Sequence, residues 1–108
     1  MSAAPELRVG VIGYGVMGKA HCYAYRIAPM LRTLPVTPVV SLISGRDKTG
    51  VAAAAAAYGV PAWTTDWRRL IARDDIAVVD ICTPAWLRPE IRLTTGVTGS
   101  ARSIGAIR

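Results

Sequence analysis

Apolar residues in this chain cluster into short unbroken runs instead of alternating with polar ones. Three runs stand out: Leu7–Ile12 (LRVGVI), Val39–Ser44 (VVSLIS) and Ile76–Cys82 (IAVVDIC). Runs of this kind leave neither face for water, and so predict strands buried on both sides, the signature of a parallel sheet. The segments between them carry helix signals. Val16 to about Ala28 reads as a helix ended by Pro29, and Met30–Pro38 as an extended connector. Thr49–Tyr58 holds six consecutive alanines, Ala52–Ala57, with Gly59 placed to stop the helix. Asp66 can cap a short helix through Ala72, Asp74-Asp75 make a turn, and Thr83-Pro84 closes the third strand.

Strand alternating with helix, in this order, predicts an α/β protein with a Rossmann-like, doubly wound parallel sheet. Three strands make an incomplete sheet, with an apolar edge open to self-association. The pattern holds to Ile91 and then breaks. RLTTGVTGSARSIGAIR (Arg92–Arg108) contains no acid, no helical period and no strong strand. The expected division is therefore a nucleotide-binding domain over residues 1–91 and an atypical, poorly ordered tail over 92–108.

Composition narrows the class. The chain has 108 residues, 52% hydrophobic and 19% charged, which suits one globular core. No apolar run reaches the ~20 residues needed to span a bilayer, and no secretory leader pattern opens the chain, so a cytoplasmic protein is expected. The net charge is +6, but half of it falls after Leu87, in Arg88, Arg92, Arg102 and Arg108 against Glu90. No basic stripe interleaves with aromatics, so nucleic acid is not an expected partner; Trp63, Trp67 and Trp86 read as packing residues. Cys22 and Cys82 match no metal-ligand spacing and read as buried free thiols. With His21 the lone histidine, no metal site is expected. His21 reads as a packed or capping residue, and Asp80 as accepting backbone N–H groups near the sheet's edge.

One constellation carries chemistry: Gly13-Tyr14-Gly15-Val16-Met17-Gly18, which satisfies G-x-G-x-x-G. It follows a buried strand and opens a helix, the context in which the motif binds a dinucleotide. Gly13 permits the tight turn, Gly15 lets a diphosphate approach the main chain, and Gly18 lets helix and strand pack closely. The helix N-terminus then offers unpaired N–H groups to the phosphates. The second strand ends in Ser44-Gly45-Arg46-Asp47. A serine, a glycine with a free N–H and a guanidinium suit a 2′-phosphate and favour NADP; Asp47 keeps NAD open.

In order along the chain, IGYGVMGKAH (Ile12–His21), SGRD (Ser44–Asp47), TDWRRLIARDDI (Thr65–Ile76) and VDICTP (Val79–Pro84) resemble the N-terminal domain of the Gfo/Idh/MocA oxidoreductases, over Val9–Ile91. The resemblance implies oxidation or reduction of a sugar, cyclitol or related carbonyl compound with NAD or NADP. It implies that Gly13–Gly18 hold the pyrophosphate, that Ser44–Asp47 meet the adenosine ribose, and that Cys82, Thr83 and Pro84 line the nicotinamide side. The chain also departs from the family. Arg88 stands where a histidine is usual, Glu-Lys-Pro is absent, and so is the C-terminal substrate domain. No catalytic residue is assigned. The expectation is a chain truncated or shifted out of frame between Pro84 and Arg92 and inactive alone; the alternatives are a small non-catalytic NAD(P)-binding module and a non-functional gene fragment.

Overall fold

The computed structural model describes residues 4–83 and the backbone of 102–106. The readings that fall on Pro84, Trp86 and Arg88 lie outside the described residues. The elements run β1 (Glu6–Ile12), α1 (Val16–Leu31), β2 (Thr37–Ser44), α2 (Lys48–Tyr58), β3 (Trp63–Thr64), α3 (Trp67–Ile71), β4 (Val78–Ile81) and β5 (Arg102–Ala106). They form one parallel sheet in the order β3-β2-β1-β4-β5. The chain runs outward from β1 through β2 to β3, then returns to β4 on β1's other side. That reversal opens a crevice beyond the carboxyl ends of β1 and β4, where sheets of this kind take their ligands.

Period-two alternation explains why the apolar runs need two covers. From β1, Val9 and Val11 join Cys22, Ile43, Val51, Ala55 and Val60 on the face covered by α1 and α2. Ile12 joins Leu42, Leu70, Ile71, Ile76, Val79 and Ile81 on the face covered by α3. Gly10 lies against Leu70, whose Cγ would be 2.9 Å from any Cβ placed there.

The structure differs from the sequence reading in three places. Pro29 does not end α1, which continues to Leu31. It lies in the final turn, where its missing N–H removes one backbone bond, and the turn still closes through Arg32 N–H to the Ala28 carbonyl at 3.3 Å. The sheet has five strands and not three. Trp63–Thr64 is too short to show a period, and pairs with Ile43–Ser44. Arg102–Ala106, in the tail where the pattern shows no strand, pairs with Val78–Ile81 and covers the edge left open by the three-strand reading. Its sequence, RSIGA, has little strand propensity of its own; the free backbone groups of β4 supply the order.

Candidate dinucleotide-binding site

The end of β1 is clamped from both sides. Gly13 N–H donates to the Ser44 carbonyl at 2.9 Å, and Cys82 N–H donates to the Ile12 carbonyl at 2.8 Å. The three parallel strands therefore stop level with one another, and their exits share one wall. At Gly13 the backbone takes φ 105°, a left-handed value, and a Cβ there would lie 2.8 Å from the Cys82 carbonyl oxygen. Gly18, buried in the first turn of α1, faces the Gly13 carbonyl so closely that a Cβ would overlap it. Around Gly15 there is open space, with no heavy atom within 4 Å of a Cβ built on it.

Gly15 is the N-cap of α1, has no side chain to cap with, and is followed by a first turn without an acid. The N–H groups of that turn are left to whatever fills the space before them. That space is a cleft of about 620 Å³, lined by Ile12 and Gly13–Met17, by Ser44–Asp47, by Thr65 and Trp67, and by Cys82 and Thr83. The structure thus gathers eleven of the thirteen residues singled out as cofactor-binding; Gly18 does its work behind the wall. Pro84 lies outside the described residues. A bare helix N-terminus, a backbone without a Cβ and an open cleft fit a diphosphate.

At Ser44–Asp47 the structure corrects the sequence reading. The Gly45 N–H is not free: it donates to the Thr64 carbonyl at 3.2 Å. A second strand partner, invisible in the sequence, consumes it. Asp47 caps α2, its Oδ2 accepting from Gly50 N–H at 2.7 Å, while Arg46 is exposed. The Tyr14 ring lies across Gly45 and Gly50, and its carbonyl accepts from the Tyr58 hydroxyl at 2.9 Å. Thr65 and Trp67 were missed. Trp67 does pack against the α3 core, and it also lines the cleft with Arg68 stacked 4.3 Å from its ring centre. A position just past a strand's carboxyl end could have found both, had β3 been legible.

Beneath the cleft lies a polar cluster that spacing had hidden. Asp80 is 1% exposed in the middle of the sheet, not at its edge, and its partners are side chains. His21 Nδ1 contacts its Oδ2, Tyr25 donates its hydroxyl to Oδ2 at 2.8 Å, and the Cys82 thiol lies 3.6 Å from Oδ1. Cys82 Sγ is 3.4 Å from His21 Nδ1. Cys82 is half-buried, whereas Cys22 is buried. Burial, followed by the Asp80 charge, pushes the Cys22 thiol from 9.0 up to about 11. Burial and the bond to Asp80 push the Tyr25 hydroxyl upward as well.

Comparison with known proteins agrees with this geometry. The model of the oxidoreductase family with an NAD-binding Rossmann fold, Gfo/Idh/MocA, matches residues 7–97, a span that runs past Ile91 and contains the interval Pro84–Arg92. Levoglucosan dehydrogenase of Pseudarthrobacter phenanthrenivorans is 43% identical over 95 residues, 87% of this chain and 24% of that protein. A structure of levoglucosan dehydrogenase in complex with NADH superposes with a TM-score of 0.86 at 41% identity, over 90% of this chain and 26% of that one. An oxidoreductase domain protein from Kribbella flavida superposes with a TM-score of 0.84 at 41% identity, over 91% of this chain and 26% of that one. The chain spans about a quarter of the length of these relatives. A cleft built on Gly13–Gly18 at the sheet's crevice, and a family match over most of the chain, lead to one conclusion: this chain belongs to the Gfo/Idh/MocA oxidoreductases and carries their NAD-binding Rossmann fold.

Proposed function

We propose that this chain is the cofactor-holding part of a dehydrogenase that acts on a sugar, a cyclitol or a related hydroxyl or carbonyl compound. The observation that carries the reading is the uncapped N-terminus of α1, opening on a cleft at the point where the strand order reverses. Gly13–Met17 would hold the diphosphate, Ser44–Asp47 the adenosine ribose, and Cys82 and Thr83 the nicotinamide end. The nicotinamide supplies hydride exchange when bound. The chain's own residues bind and orient: the glycine turn brings main-chain amides to the phosphates, and exposed Val16 and Met17 offer apolar cover. No Glu-Lys-Pro occurs among these 108 residues, and we expect the chain alone to bind without turning over.

Of the two dinucleotides, NAD(H) is the better supported. The carboxylate of Asp47 already fills the N-terminus of α2, where a 2′-phosphate would meet negative charge. Relatives at 41% identity bind NADH. The second reading, NADP(H), rests on Arg46, exposed at the same mouth. Titrating the purified chain with NADH and with NADPH, and following the fluorescence of Trp67, separates the two. Saturable quenching by NADH at an affinity about ten-fold tighter than by NADPH is the expected result. Quenching by neither would overturn the binding role, and oxidation of sugars or inositols by the chain alone would overturn the division of labour.

A further inference from the structure

We propose that His21, Asp80 and Cys82 form a site for a thiophilic divalent cation of the zinc type, set in the floor of the dinucleotide cleft. An imidazole, a carboxylate and a thiol converge there from two elements, α1 and the end of β4, and their donor atoms all lie within 4.8 Å of one another. The distances match a coordination sphere. Tetrahedral zinc holds nitrogen and oxygen at about 2.0–2.2 Å and sulfur at about 2.3 Å, which sets its donors about 3.3–3.6 Å apart. Cys82 Sγ is 3.4 Å from His21 Nδ1 and 3.6 Å from Asp80 Oδ1. Only the contact between His21 and Asp80 has to widen.

The placement of the three groups supports the same assignment. Asp80 lies on β4 and Cys82 one residue past its end, and His21, presented by α1, contacts both. Tyr25 donates to Oδ2 of Asp80 at 2.8 Å, which orients the carboxylate and leaves Oδ1 turned toward sulfur, the arrangement by which outer groups fix a ligand. A divalent ion with one thiolate, one carboxylate and a neutral imidazole is a centre of zero net charge, which suits a site where Asp80 is 1% exposed. A sulfur donor selects zinc-like ions over magnesium or calcium. Three protein donors leave a fourth position, and Cys82, alone of the three, lines the cleft.

The test is a titration of the purified 108-residue chain with Co2+ alone, then with Zn2+ in competition. One equivalent of Co2+ should produce a thiolate-to-cobalt charge-transfer band that Zn2+ removes. Cys82→Ser and His21→Gln should each weaken binding by about ten-fold or more, while Cys22→Ser retains it. A second measurement does not depend on any variant folding: Zn2+ should protect Cys82 but not Cys22 from alkylation, read by peptide mass spectrometry. Absence of the band, its survival in Cys82→Ser or His21→Gln, its loss in Cys22→Ser, or equal alkylation of both thiols would overturn the site and leave the three side chains as a hydrogen-bonded cluster.

Discussion

The N-termini of α1 and α2 sit side by side at the same cleft and are finished in opposite ways. At α2, Asp47 accepts the Gly50 N–H at 2.7 Å, and the helix satisfies itself. At α1, Gly15 contributes no side-chain bond and the first turn holds no acid. A missing cap costs a helix about 1 kcal/mol. The short α3 is capped too, by Asp66 accepting from Arg68 N–H at 3.0 Å, so the bare end of α1 is the exception among the described helices. The difference teaches where stability was given up: at the one helix end that a diphosphate would complete.

The largest way to break this contrast is to push α1 off the sheet. Gly18→Ala would place a Cβ on the Gly13 carbonyl, which belongs to backbone and cannot swing away. We expect a loss of about 2–3 kcal/mol in urea unfolding, with NADH binding lost alongside.

Gly15→Asp sharpens the contrast more cleanly. The backbone there (φ −71°, ψ −159°) accepts any residue, and the space is open. A self-capping carboxylate should stabilise α1 by about 0.5 kcal/mol while cutting NADH affinity at least about ten-fold. A variant that is more stable and still binds would show that the bare turn is not the phosphate site.

The reverse change, Asp47→Ala, removes the cap of α2. A destabilisation of about 1 kcal/mol in thermal unfolding is expected, with the ratio of NADPH to NADH affinity rising as the carboxylate leaves the mouth of the cleft.

The smallest effect concerns the buried face behind α1. Cys22 titrates at about 11 when folded and 9.0 ordinarily. Between those values the unfolded chain has lost the proton and the folded chain retains it. Its contribution is therefore complete below pH 9 and is lost as pH rises toward 11. Cys22→Ala should flatten stability against pH across that window.

Much of this was legible. The run LRVGVI, the glycine turn and the alanine tract specify their elements locally, because propensity, capping and burial all act within a few residues there. Gly59 ends α2 at φ 73° where the sequence puts a stop. The adenosine side was only half legible. Ser44–Asp47 was found, but whether the Gly45 N–H is available depends on Thr64, a neighbour across strands. β5 was not legible at all, since RSIGA becomes a strand through the edge it meets.

By itself, the sequence determined the alternation of strand and helix, the two-sided burial of the sheet and the turn that exposes main-chain amides, since each follows from residues adjacent in the chain. Only the tertiary structure decided which polar groups meet. His21 lies 59 residues from Asp80 and 61 from Cys82, and no spacing rule spans such distances. Their meeting results from α1 folding back over β4, and a carboxylate buried in that interface must take whatever partners the packing brings.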